Sequence, residues 1–294
     1  MRGDDAQEQA ALDEHALEPA HLAGCVALAE EANWNQNAAD WRLMLGLGRG
    51  FGVSAGGRLV ATAIALPFER RFGWISMVLV TADHRRRGLA TRLMQRAIDA
   101  LVAMECVPLL DATPAGREVY RRIGFEDCWS LERLQLASDG RPGPAPPAMP
   151  GVAVRHIASG DWPEVLAYDG GVFGASRAAI LADLARRVPQ AALVAVRGGR
   201  LCGALFARDG RVATQVGPVV ADDAGTALAL LATALASMRP PVFIDVPDRH
   251  ARIGAWLREC GFVLQRPYTR MAYRRSRAFD DPTRLFAIAG PELG

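Results

Sequence analysis

At 294 residues, half of them hydrophobic, the chain exceeds an ordinary domain of about 100–200 residues and can fill two cores. A net charge of +2 excludes a strongly basic nucleic-acid surface, and no apolar run approaches the roughly 20 residues of a membrane span. All 34 Lys+Arg residues are arginine, which excludes Schiff-base lysine chemistry and a P-loop lysine and leaves anion binding to arginine forks and backbone N–H groups.

The polar, acidic start is unlike a signal peptide, so a cytoplasmic protein is expected. The five cysteines (Cys25, Cys106, Cys128, Cys202, Cys260) form no CxxC pair, and the five histidines have no metal-ligand spacing. Neither a disulfide framework nor a metal site is expected.

In chain order, apolar spacing predicts a helix over 19–32 and a second starting near Asn37. Strands are expected at 52–55 and 59–67 around the Gly56-Gly57 turn, and at 74–80, a continuous apolar run suited to a sheet covered on both faces. An amphipathic helix follows at 89–104, a strand at 107–111, and a short helix from 117–122 that stops at Gly124. A Pro/Gly-rich linker at 139–151 then separates an N-terminal domain, 1–138, from a C-terminal domain, 152–294. Helices are expected at 161–172 and 177–185, and strands at 191–196, 201–207 and 213–220. A helix at 226–238, a strand at 242–246, a helix through 256–259 and an added strand near 285–289 complete the chain. VLVTAD, LLDATP and YRRIGF in the first half match PVVADD, FIDVPD and WLRECGF in the second, in the same order. This order argues for a diverged internal duplication.

The informative segment runs from Val78 to Met94. A buried strand enters a turn, Arg85-Arg86-Arg87-Gly88-Leu89-Ala90, at which a helix begins. Small residues there let a ligand approach the main chain, and N–H groups at a helix N-terminus favour an anion. Neighbouring arginines supply paired donors to phosphate oxygens. The chemistry is that of a diphosphate cradle, while a solvated basic turn is the alternative. Neither GxGxxG nor GxxxxGK[ST] occurs.

This chain resembles the GNAT N-acetyltransferase superfamily. The acyl-CoA signature [RQ]xxGx[GA] is matched by Arg85, Gly88 and Ala90, and the (L/V)YxxxGF landmark by Val119, Tyr120, Gly124 and Phe125. The resemblance covers about residues 15–135, and the second half, with PYTRM at 267–271, resembles a further GNAT-like domain. It implies an α/β fold of two GNAT-like domains, each a mixed twisted sheet flanked by helices. It also implies acetyl-CoA as the acyl donor, its pantetheine paired with Val78, Leu79 and Val80. The diphosphate is expected on Arg85, Arg86, Arg87, Gly88, Leu89, Ala90 and Thr91, and Tyr120 matches the family's general acid. The acceptor is expected to be the primary amine of a small molecule, met by Trp34, Asn35, Gln36 and Trp41, with core packing as the competing role. Glu69 and Asp111 are the nearest carboxylates, but neither is assigned as base.

In the second half the arginines are replaced by Asp222 and Asp223, and Trp256 stands in place of the tyrosine, so no coenzyme site is expected there. A non-catalytic acyl-CoA sensor is the alternative function. The sequence leaves the oligomeric state open, a homodimer included.

Overall fold

The computed structural model describes residues 12–137 and 149–294. The linker read at 139–151 therefore lies outside the described residues except for 149–151.

The first half runs β1 (Leu12–Leu17), α1 (Leu22–Glu31), α2 (Ala38–Leu47), β2 (Arg49–Ala55), β3 (Arg58–Phe68), β4 (Phe72–Val80), α3 (Leu89–Ala103), β5 (Val107–Ala112), α4 (Pro114–Arg122) and β6 (Phe125–Leu136). The second half repeats this order as β7 (Val152–His156), α5 (Trp162–Phe173), α6 (Ala178–Arg187), β8 (Leu193–Arg197), β9 (Arg200–Arg208), β10 (Thr214–Ala221), α7 (Ala224–Ala236), β11 (Val242–Pro247), α8 (Ala251–Glu259) and β12 (Val263–Tyr273). One further strand follows, β13 (Leu285–Ala287). The repeat expected from the paired landmarks is thus present element by element. The strands β1, β6, β7 and β12 have no counterpart in the sequence reading.

Each half is a mixed sheet, and the two join edge to edge in the order β1-β2-β3-β4-β5-β12-β6-β11-β10-β9-β8-β7. The join is an exchange. β12 enters beside β5 of the first half, β6 lies beside β11 of the second, and the two exchanged strands pair antiparallel at the centre.

The same device pins each exchanged strand. Arg133 on β6 stands opposite Asp245 on β11, with both nitrogen–oxygen bonds at 2.8 Å. Arg270 on β12 stands opposite Asp111 on β5, with both bonds at 2.9 Å, and also binds Asp280. Planar guanidinium forks match carboxylates bidentately, so each pair fixes register as well as proximity. Burial alone lowers the Arg270 pKa, but Asp111 and Asp280 reverse that and hold the cation above its ordinary value. The indoles of Trp74 and Trp129 flank its guanidinium at 4.4 and 4.3 Å. Arg270→Met, which keeps the stem but strands two buried carboxylates, is expected to cost about 3–5 kcal/mol in urea unfolding. A loss under about 1 kcal/mol would show that this pair does not hold the exchange.

One sheet face carries a core shared by both halves, in which Leu28, Trp41 and Met44 of α1 and α2 join Val172, Phe173, Leu181 and Leu184 of α5 and α6. The opposite face carries separate cores under α3–α4 and under α7–α8. Hydrophobic contact on one face and strand exchange in the sheet make the halves a single packed body.

Candidate active site

β4 and β5 run parallel and pair only at Phe72↔Val107, Gly73↔Pro108 and Trp74↔Leu109. A bulge then turns β4 away. Its register against β3 shifts between Thr62 and Ile64, Met77 takes φ +52°, and the Thr62 hydroxyl donates to the Met77 carbonyl at 2.8 Å. An extra residue in one strand bends it and breaks the ladder locally. Beyond Trp74 the β4 main chain faces a gap instead of β5.

Two adjoining cavities fill that gap. One, of about 490 Å³, is lined by Val78, Leu79, Val80, Arg85, Arg86, Gly88, Leu89, Ala90 and Thr91, with His84 and Trp34 at its sides. Nine of the ten residues expected to hold the coenzyme meet here, whereas Arg87 is exposed and does not line the groove. The side chains of Leu79 and Leu89 point into the core, so these two offer only their main chain. Gly88 is the N-cap of α3 at φ 78° and ψ 0°, and no side chain caps the helix, leaving its first-turn N–H groups open. A Cβ on Gly88 would meet no protein atom within 4 Å, which is the open approach that a main-chain diphosphate cradle requires. The Arg85 guanidinium donates to the Val80 carbonyl at 3.2 Å, closing the turn at the groove's edge. The residues therefore fit a coenzyme A diphosphate and an added pantetheine arm.

The second cavity, of about 350 Å³, contains Tyr120 and shares Trp34 and Val78 with the first. Tyr120 comes from α4, whose N-cap Thr113 accepts from the Gly116 N–H at 3.3 Å. A Cβ at Gly116 would stand 2.9 Å from the Tyr120 ring, so glycine there makes room for the phenol. Arg117 and Arg121 both bind Asp127 and tie α4 to β6. Desolvation raises the Tyr120 pKa, so its proton stays on at neutral pH.

Residues from both halves wall this cavity: Ser76, Met77, Asp111 and Thr113 from the first, Val212, Phe243, Arg266 and Tyr268 from the second. Of the expected acceptor residues, Trp34, Asn35 and Gln36 line it, and Trp41 does not. Trp41 is fully buried in the shared core, because four residues after the Asn37 cap it falls on the inward face of α2. The Asn35 amide is consumed by structure: it bonds Val212 N, Ala213 N and Ala213 O, clamping the β9–β10 connection. Gln36 Oε1 is buried without a partner and is available to a ligand. Neither carboxylate considered as base is free there. Glu69 sits exposed in the β3–β4 turn and lines neither cavity, and Asp111 is consumed by Arg270.

The second half has the same gap, filled by the chain itself. β10 and β11 pair at Thr214↔Val242 to Val216↔Ile244, a bulge follows, and β13 then pairs antiparallel with β10. The Ala221 N–H donates to the Arg284 carbonyl at 3.0 Å, and the Ile288 N–H donates to the Asp245 carbonyl at 3.1 Å. The α7 N-terminus is closed as well, since Asp223 accepts from the Thr226 N–H at 2.8 Å and Met149 covers Gly225. β13 lies so close to β10 that a Cβ on Gly217 would fall 1.9 Å from the Ile288 carbonyl oxygen. Gly217→Ala is accordingly expected to displace the strand, destabilise by about 1–3 kcal/mol, and speed amide exchange at 285–288. Unchanged exchange would contradict this seating.

The comparisons agree with this geometry. Residues 12–125 match the family described as Acetyltransferase (GNAT) family, and residues 165–287 match the Acetyltransferase (GNAT) domain. The N-acetyltransferase YitH of Bacillus subtilis (strain 168), described as uncharacterized, is 23% identical over 279 residues, covering 95% of this chain and 97% of that protein. A putative acetyltransferase from Pyrococcus horikoshii has TM-score 0.78 at 18% identity, covering 100% of this chain and 99% of its own. A tandem GNAT protein from the clavulanic acid biosynthesis pathway has TM-score 0.62 at 16% identity, covering 89% and 98%. Both family matches make the chain an acyltransferase. The chain belongs to the GNAT N-acetyltransferases, in their tandem two-domain form.

No group of three or more candidate metal ligands occurs among the described residues, and none of their helices is long and apolar enough to cross a membrane.

Proposed function

We propose that this protein transfers acetyl from acetyl-CoA to the primary amine of a small molecule, using the first half as its catalytic domain. The reading is carried by one observation: an uncapped helix N-terminus and an unpaired strand edge open directly onto a cavity holding a half-buried phenol.

Acetyl-CoA supplies the activated acetyl group. Gly88, Leu89, Ala90 and Thr91 bind its diphosphate through main-chain N–H groups, assisted by Arg85 and Arg86, and the β4 edge at Val78 and Val80 orients its arm. Tyr120 is the general acid: its phenol, protonated at neutral pH, holds a proton at its oxygen for the departing sulfur. Trp34 and Gln36 form the acceptor side with Phe243 and Tyr268. The second half serves as acceptor wall and scaffold, its own slot being closed by β13.

The test is release of free thiol on mixing acetyl-CoA with a panel of primary amines. Amine-dependent release supports the transferase. Tight acetyl-CoA binding with no release on any amine refutes it in favour of a sensor.

A further inference from the structure

The C-terminal segment does more than fill the second half's slot. After β13 it crosses back to the first half, where the Trp74 indole donates to the Pro291 carbonyl at 3.1 Å. The Arg177 guanidinium donates to the Gly294 carbonyl at 2.6 Å, and Asp169 holds that guanidinium in turn. Between these anchors Pro291 and Glu292 form part of the wall of the cavity that contains Tyr120.

Glu292 is 2% exposed. Its Oε1 is bound by Arg208, but its Oε2 is buried with no hydrogen-bond partner. Buried carboxylate oxygens are ordinarily satisfied, and one left open beside a cavity calls for a donor from whatever occupies the cavity. The charge around it calls for the same thing. Arg208 is shared with Asp40, Asp40 also binds Arg187, and Arg187 binds Asp183 and Asp209, while Arg186 binds Asp183. Three guanidiniums thus face four carboxylates, Glu292 included. Of the other arginines lining the cavity, Arg133 is spent on Asp245, while Arg266 donates to the neutral Gln265 amide and keeps its charge. A cationic donor entering the cavity meets an unsatisfied oxygen in a cluster with one negative charge in excess.

We propose that Glu292, carried on the C-terminal segment, receives the acceptor amine and acts as its base; this rests on the transferase reading above. An alkylamine arrives as an ammonium, its pKa being near 10. One N–H bond breaks, the proton passes to Glu292 Oε2, and the pair from that bond becomes the nitrogen lone pair. The proton leaves to solvent after turnover. The segment that closes the degenerate slot thereby completes the working one, which ties the two halves together in function.

Steady-state kinetics with acetyl-CoA and putrescine, spermidine, tyramine and glycine select the best acceptor for comparing wild type, Glu292→Gln and Glu292→Asp. Glu292→Gln keeps the shape and an oxygen toward Arg208, and is expected to lower kcat/KM for the amine by about 100-fold or more. Affinity for acetyl-CoA and the melting temperature should stay near wild type. Glu292→Asp, which retains the charge, is expected to recover part of that loss and remain about tenfold below wild type; it carries the test alone if the glutamine variant does not fold. Variants as active as wild type overturn the assignment. So does a parallel loss of acetyl-CoA affinity, which a merely structural role predicts. A wild type that binds acetyl-CoA but acetylates none of these amines overturns the transferase reading and this one together, and is distinguished by the wild type itself being inactive.

Discussion

Gly88→Phe is expected to abolish acetyl-CoA binding while leaving the protein folded. At φ 78° the left-handed conformation costs a non-glycine residue about 1–2 kcal/mol, a local penalty at an exposed helix cap. A Cβ there meets no protein atom within 4 Å, so a side chain starts out into open space and away from the core. That open space lies over the α3 N-terminus, where the donors are main-chain atoms that cannot move aside. The dissociation constant should rise at least about 100-fold, or roughly 2.7 kcal/mol. Calorimetric titration with acetyl-CoA measures it, with circular dichroism as the fold check. Affinity within a few-fold of wild type would refute the cradle.

Tyr120→Phe is expected to spare that affinity and reduce kcat by about 10²- to 10⁴-fold, the usual range for a general acid. The ring remains to pack against Phe125, 6.1 Å away between centroids, so loss of the hydroxyl isolates proton donation from packing. An acid must be protonated to act. Because burial raises the phenol's pKa, the wild-type rate should hold through neutral pH and fall only beyond the ordinary phenol value near 10. The phenylalanine variant should lack that alkaline limb. An unchanged kcat, or a limb that survives the substitution, would remove Tyr120 from this role.

The groove was legible in the sequence because the residues that line it are close together in the chain. A glycine at a helix cap, small neighbours and a strand edge lie within fourteen consecutive residues, and the structure gathers Val78 to Val80, Arg85, Arg86 and Gly88 to Thr91 around one groove. The duplication was legible for the same reason: each landmark is a short strand–turn or helix–turn unit. What the sequence hid is non-local. Nothing in the Arg133 or Arg270 neighbourhoods says that β6 and β12 change places, because the choice depends on aspartates 112 and 159 positions away. Asp111 looked like a spare carboxylate until that partner arrived. Trp41 and Asn35 share a polar, aromatic segment with Trp34 and Gln36, but helix phase sends one into the core and the β9–β10 connection claims the other. The C-terminal strand was foreseen, but not its place in the second slot. With that place unknown, Glu292 had no visible route to a cavity built around β4.

The first half's slot is expected to admit the coenzyme, and the second half's to stay sealed by β13. A crystal structure with coenzyme A bound tests this most directly. One coenzyme per chain is expected, its diphosphate on the main chain of Gly88 to Thr91 and its arm along Val78 to Val80, with β13 still paired to β10. A coenzyme lying between β10 and β11, or a second one there with β13 displaced, would contradict it.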